Sequence, residues 1–237
     1  DAMVNEKTYP LKFTNESLKF NNNKSQKILE AGCGPGRIVK YLNNNGYNVT
    51  GIDFIGSAIN KIKLIDPLLD VHEQSILKTK FKDEEFDTIL AFGLYHNFKY
   101  DDIILSLNET MRILKKGGIL CLSFRLDNIQ NFILDKIKDK QREGNKHFHK
   151  INLKETELKD ILKKYNLTFL KKYYVTNMPL LFHFKLFRSM RQKQFNEHLG
   201  RREGYKLNFI GKIINWFLIT FLKKKYSNVI VLICKKN

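Results

Sequence analysis

Residues 28 to 54 constrain this chain more than any other stretch. They read Ile28-Leu29-Glu30-Ala31-Gly32-Cys33-Gly34-Pro35-Gly36-Arg37, continue through a helical pattern, and close on Val49-Thr50-Gly51-Ile52-Asp53-Phe54. Lys27 to Ala31 is a short, mostly apolar run that stops at glycines, the pattern of a buried parallel strand. Gly32, Gly34 and Gly36 leave the following loop almost without side chains. Backbone N–H groups can then approach a ligand, and the helix behind the loop turns its positive dipole end toward it. A second strand ends at Asp53, about 20 residues after Gly32, where a carboxylate can accept two hydrogen bonds from ribose hydroxyls. Strand, glycine loop, helix, strand and acid in this order predict a βαβ unit built for a nucleoside-containing ligand.

The glycine spacing narrows the ligand. A dinucleotide site uses G-x-G-x-x-G, whose third glycine permits close approach to a pyrophosphate. Here the spacing is G-x-G-x-G, and Glu30 precedes it. An acid beside the loop repels a pyrophosphate and attracts a cationic amino-acid end. Glu30-Ala31-Gly32-Cys33-Gly34-Pro35-Gly36 resembles the first motif of class I S-adenosylmethionine-dependent methyltransferases, and Gly51-Ile52-Asp53 resembles the acidic ribose-binding position that follows it. Phe86 to Gly93 and Arg112 to Gly118 resemble later motifs of the same family. The resemblance covers residues 28 to 124. It implies a three-layer α/β fold with a doubly wound, mostly parallel seven-stranded sheet in the order 3-2-1-4-5-7-6, and S-adenosylmethionine as cofactor. S-adenosylhomocysteine would be the product.

On that resemblance Glu30 holds the methionine part, Gly32, Cys33, Gly34 and Gly36 admit it, Asp53 binds the ribose, and Phe54 covers one face of the adenine. Ser75 stands where the family often carries an adenine-binding Asp, with Ile76 beside it, and a hydroxyl can still accept that hydrogen bond. Phe92 ends the motif at the central edge of the pocket. No Asn/Asp-Pro-Pro-aromatic sequence follows, which argues against adenine N6 methylation. No Pro-Cys dipeptide appears, so a cytosine C5 nucleophile is not supported.

Methyl transfer is an in-line displacement, so an enzyme mainly positions the acceptor, excludes water and takes up a proton. His96 and Tyr95 follow the fourth expected strand, at the carboxyl edge where open sheets bind ligands. They are the candidate catalytic residues, with a structural role as the other reading. Tyr9 belongs to an N-terminal segment, residues 1–26, expected to fold over the cofactor, with a short helix from Asn15 to Phe20 capped by Asn15. Arg125 and Asp127 follow the fifth strand and face the same edge, as acceptor contacts or as a surface ion pair. His147 and His149 lie two apart, but nothing nearby completes a metal set, so no metal is expected, and His149 stands with Tyr9, Arg125 and Asp127 as a candidate substrate contact.

Residues 27–176 are assigned to the cofactor core, 177–225 to an insertion that caps the substrate, and 226–237 to the last strand. A connection that long usually carries function. Arg201, Arg202 and Tyr205 in it could meet an anionic acceptor or form a solvated basic face. Phe209 to Leu222 is strongly apolar and lysine-flanked, yet too short to span a bilayer. It is expected to pack over the substrate pocket, with a position at a membrane interface as the alternative.

The 237 residues suit one elaborated α/β domain. Cys33, Cys121 and Cys234 show no paired spacing, which suggests a reduced chain without a zinc site. No secretory leader is recognised, so a cytoplasmic location is expected, with peripheral membrane contact possible through 209–222. The net charge is +18, but only eight of the 42 basic residues are Arg, and a chain crowded with Asn, Ile, Phe and Lys also follows from AT-rich coding. The expected acceptor is therefore a small-molecule or lipid-linked metabolite. The alternatives are an RNA (tRNA) methyltransferase using the basic surface, and a membrane-peripheral or scaffold protein with a vestigial pocket.

Overall fold

The computed structural model describes residues 9–21, 23–141, 150–176, 179–189 and 206–237. Its strands are β1 (Lys27–Ala31), β2 (Asn48–Asp53), β3 (Val71–Glu73), β4 (Phe86–Ala91), β5 (Leu114–Arg125), β6 (Leu167–Val175) and β7 (Val229–Lys236). They form one seven-stranded sheet in the order β3-β2-β1-β4-β5-β7-β6, as the motif series implies. β7 runs antiparallel to both β5 and β6, and the other pairings are parallel. The helices are α1 (Leu11–Leu18), α2 (Arg37–Asn44), α3 (Gly56–Ile65), α4 (Tyr100–Ile113), α5 (Ile129–Gln141), α6 (Glu155–Lys163), α7 (Phe209–Phe221) and α8 (Lys223–Tyr226).

Alternation along the strands sends side chains to both faces, and each face has its own core. Ile28, Val39, Leu42, Ile59, Ile62 and Val71 pack with Leu11 and Phe13 on the face covered by α1, α2 and α3. Leu29, Ile52, Ile89, Leu120 and Leu122 pack with Ile103 and Leu107 of α4 and Leu158 and Leu162 of α6 on the other. Strands buried on both faces need near-continuous apolar runs, which is what β1, β4 and β5 carry.

Several boundaries differ from expectation. α1 begins after Pro10, four residues before Asn15, and Asn15 Nδ2 instead donates to the Tyr41 hydroxyl. α2 begins at Arg37, because Gly36 sits at φ +72° and cannot join a right-handed helix. Ser57, a residue type suited to capping the second helix, lies inside α3; Ile55 is the N-cap residue, and its N–H donates to Asp53 Oδ1. β5 starts at Leu114, where a helix end was expected through Gly118. The register slips between Phe86↔Leu114 and Thr88↔Ile119, and Gly117 at φ +75° absorbs the extra residues. α6 starts only after Lys154, since Ile151 and Leu153 give their N–H groups to the carbonyls of His96 and Arg125. β7 begins at Val229, and Tyr226 closes α8 with its ring buried.

The insertion departs most. α7 was expected to pack over the substrate pocket, yet Gly211 is its buried residue. Its inner side, with Ile214 and Leu218, rests on a small cluster of Leu181, Leu207 and Tyr226. That cluster is too small to bury the rest of so apolar a helix.

Candidate active site

The glycine loop is held from beneath. Gly32 and Cys33 both donate their N–H groups to the Ile52 carbonyl, at 2.8 and 2.9 Å, so the loop leans on the end of β2. Gly32 has φ +74°, and a Cβ there would lie 2.9 Å from Leu94 Cδ1. A side chain would be strained in the backbone and blocked in space at once. Asp53 completes the fastening. Its Oδ2 accepts from the Gly34 N–H at 2.8 Å and its Oδ1 from the Ile55 N–H at 3.0 Å. An ionised carboxylate has about four lone-pair positions, so two remain for hydroxyl donors.

Above these groups lies a cavity of about 560 Å³. Gly32, Asp53, Phe54, Ser75 and Ile76 line it, five of the residues expected to meet the cofactor, together with Gln74, Gly93, Leu94, Asn97 and Phe98. Phe54 is 64% exposed, free to lie against a planar ring. Ser75 Oγ accepts from the Leu77 N–H at 3.2 Å. Sequence reasoning missed Leu94, Asn97 and Phe98. Their signal is position alone, just past the carboxyl end of β4; Asn97 Nδ2 donates to the Gly93 carbonyl at 2.6 Å and pins the turn.

Glu30, Cys33, Gly34, Gly36 and Phe92 stand around this cavity rather than in its wall. Gly34 and Gly36 border a second cavity of about 310 Å³ between α2 and α3. Glu30 is buried beneath the loop, and its Oε2 accepts from the Val39 N–H of α2 at 3.1 Å. Burial pushes its carboxyl up to about 8, against the pull of that N–H and of Arg37. Burial likewise pushes the Cys33 thiol up to about 12. Phe92 meets the Tyr9 ring edge-on at 5.8 Å. The Tyr9 hydroxyl donates to Ser123 Oγ at 2.8 Å, and Ser123 Oγ also accepts from the Gly93 N–H. The N-terminal segment is thereby tied to the cavity rim, and burial raises the Tyr9 hydroxyl to about 12.

The two candidate catalytic residues part company. Tyr95 is fully buried, stacks on Phe124 at 5.4 Å, and shares a hydrogen bond with Thr110 Oγ1 at 2.9 Å. It turns into the core, so the structure places it in packing rather than in the cavity. His96 turns the other way. A Cβ on Gly93, which lines the cavity, would lie 4.0 Å from His96 Cε1. Its Nδ1 is buried without a hydrogen-bond partner. Burial, followed by the nearby Arg125 and Lys150 charges, lowers its pKa to about 3, so the imidazole is neutral at neutral pH rather than poised near it.

Arg125 stands beside it. Its Nη2 pairs with Asp135 Oδ1 at 2.9 Å, and Asn152 Nδ2 donates to the other oxygen of Asp135 at 3.0 Å. Arg125 Nη1 and Asn152 Oδ1 are buried and without a hydrogen-bond partner, like His96 Nδ1. Arg125 is thus no surface ion pair. Asp127 points away as an exposed residue whose N–H donates to the Leu153 carbonyl. His147, His149, Arg201, Arg202 and Tyr205 lie outside the described residues. Among the described residues no group of three or more His, Cys, Asp or Glu could hold a metal, and no helix is long and apolar enough to cross a membrane.

Residues 29–122 match the family model described as a methyltransferase domain. An uncharacterized methyltransferase of Schizosaccharomyces pombe is 30% identical over 81 residues, 32% of this chain and 56% of that protein. A ubiquinone biosynthesis O-methyltransferase of Rickettsia bellii is 26% identical over 132 residues, 54% of this chain and 44% of that protein. The chain thus spans about half the length of the curated relatives it matches. A crystal structure described as a SAM-dependent methyltransferase from Methanosarcina mazei has the same fold, with a TM-score of 0.63 at 19% identity over 97% of this chain and 98% of that one. The matched span, about two-fifths of the chain, is the stretch that carries the glycine loop and the acid at the end of β2, and the sheet order is that of the class I S-adenosylmethionine-dependent methyltransferase fold.

Proposed function

We propose that the chain transfers a methyl group from S-adenosylmethionine to a polar atom of a small-molecule or lipid-linked metabolite. The cofactor supplies an electrophilic methyl carbon on a sulfonium. Glu30 and the glycine loop hold its amino-acid end, Asp53 its ribose hydroxyls, and Phe54, Ser75 and Ile76 its adenine. The observation that carries the acceptor side is the trio of unpartnered buried atoms, His96 Nδ1, Arg125 Nη1 and Asn152 Oδ1, of which His96 stands against the Gly93 wall and Arg125 acts on it. Buried polar atoms without partners cost roughly 1–3 kcal/mol each, so a native structure keeps them for a reason. A guanidinium N–H offers a donor to an acceptor oxygen, and the neutral imidazole offers a ring nitrogen that can accept a hydrogen bond from an acceptor hydroxyl or N–H and so orient it. The O-methylating relative fits an oxygen acceptor.

Methyl-labelled S-adenosylmethionine, incubated with the protein and a cell extract, tests this. Label in the small-molecule or lipid fraction, abolished by Asp53→Ala, is the expected result. Label confined to RNA would redirect the reading to the basic surface, and no binding of S-adenosylhomocysteine in titration calorimetry would end it.

A further inference from the structure

The outward side of α7 is where a soluble helix carries its polar residues, and here it is apolar. At 100° per residue, Gly211, Ile214, Asn215 and Leu218 fall on one side and Phe209, Ile213, Trp216, Phe217 and Thr220 on the other. The first set faces the small cluster below. In the second, Phe209 is 77% exposed, Ile213 51%, Trp216 59% and Phe217 51%. Phe184 and Leu186, which adjoin the start of the helix, are exposed as well. So large an apolar surface marks an interaction site.

The charges around it say with what. Lys206, Lys212, Lys223, Lys224 and Lys225 surround the helix, all exposed, and no Asp or Glu occurs from 206 to 225. A second copy of a chain with net charge +18 would bring lysines to lysines. An anionic surface with an apolar interior meets both features. At 1.5 Å per residue the 13-residue helix is about 20 Å long, short of the ~30 Å of a bilayer core. It can lie in the interface but cannot cross it.

We propose that α7 docks in the plane of an anionic lipid bilayer, with Phe209, Ile213, Trp216 and Phe217 entering the acyl boundary and the lysines meeting the headgroups. The placement suits the chemistry. Val175, which ends β6 just before the insertion, pairs with Val229, which pairs with Arg125 at the carboxyl end of β5. The insertion therefore leaves the sheet at the edge that carries the cofactor cavity and Arg125. An acceptor dissolved in the membrane would be offered on that side. The docking itself does not depend on methyl transfer.

Trp216 is the single tryptophan of the chain and reports directly on the event. Its emission is recorded with vesicles of phosphatidylcholine alone and of phosphatidylcholine with about one-third phosphatidylglycerol. The expected result is a blue shift with the anionic vesicles only, quenched by brominated acyl chains and reversed by high salt. Replacing Lys223, Lys224 and Lys225 together by Gln should weaken vesicle binding tenfold or more, and Phe209→Ser with Phe217→Ser should remove it. Both variants should keep S-adenosylhomocysteine binding, which shows that the fold survives. No shift with anionic vesicles overturns the proposal. So does a shift that follows protein concentration without lipid, which would make the face a contact between copies.

Discussion

Glu30→Gln should reshape how stability depends on pH. In the unfolded chain the Glu30 carboxyl titrates at its ordinary 4.5, and in the folded protein at about 8. Between these values the folded state holds a proton that the unfolded state has lost, so stability falls as pH rises through the window and levels off above about 8. Each pH unit of difference is worth about 1.4 kcal/mol, so from pH 5 to 7.5 this group removes roughly 3 kcal/mol of stability. Glutamine keeps a carbonyl oxygen for the Val39 N–H, the bond that Oε2 makes, and has no proton to lose. Urea unfolding of both proteins at pH 5 and pH 7.5 gives a double difference in which every other titrating group cancels. The variant should be relatively more stable at the higher pH by about 3 kcal/mol. Wild type and variant whose stabilities change in parallel would show that the carboxyl is already ionised in the fold and would refute the argument from burial.

Cofactor binding should release close to one proton at pH 7, because an ammonium placed beside Glu30 favours its ionised form; calorimetry in buffers of different ionisation enthalpy measures it. His96 titrates at about 3 when folded, below its ordinary value, so its contribution is present at neutral pH and lost as pH falls from about 6.5 toward 3; His96→Gln should flatten that acid limb in thermal unfolding. Gly51→Ala would place a Cβ 2.7 Å from Val39 Cγ2 and 3.2 Å from Cys33 Cβ. It should cost about 1–3 kcal/mol in urea unfolding and weaken S-adenosylhomocysteine binding through the displaced loop. Tyr95→Phe should cost about 1 kcal/mol and leave kcat unchanged; a tenfold fall in kcat at unchanged stability would return Tyr95 to the chemistry.

The strands, the glycine loop and the acid at Asp53 were legible because each follows from short-range rules: apolar runs for buried strands, glycine where the backbone is left-handed, a carboxylate at a strand end; the order of the strands in the sheet came only with the family resemblance that these motifs carry. Side-chain direction was not. Tyr95 and His96 are neighbours in one 3-10 turn, and only the packing of Phe124 and Thr110 decides which of them enters the core. The extended stretch before α6 was not legible either, because Ile151 and Leu153 are held there by the carbonyls of His96 and Arg125, far away in sequence. The Phe209–Phe221 run has the same composition whether it is roofed or bare. What distinguishes the two is how much apolar surface the rest of the insertion offers, and three buried side chains offer little.

The carboxylate of Asp53 spans Gly34 and Ile55 through bonds made entirely within the chain. The loop that must later receive a flexible, charged molecule has thus given up its conformational freedom during folding. Association then orders the ligand alone, so binding should be rapid and single-phased, and a substitution at this position would change the speed of capture as well as its strength.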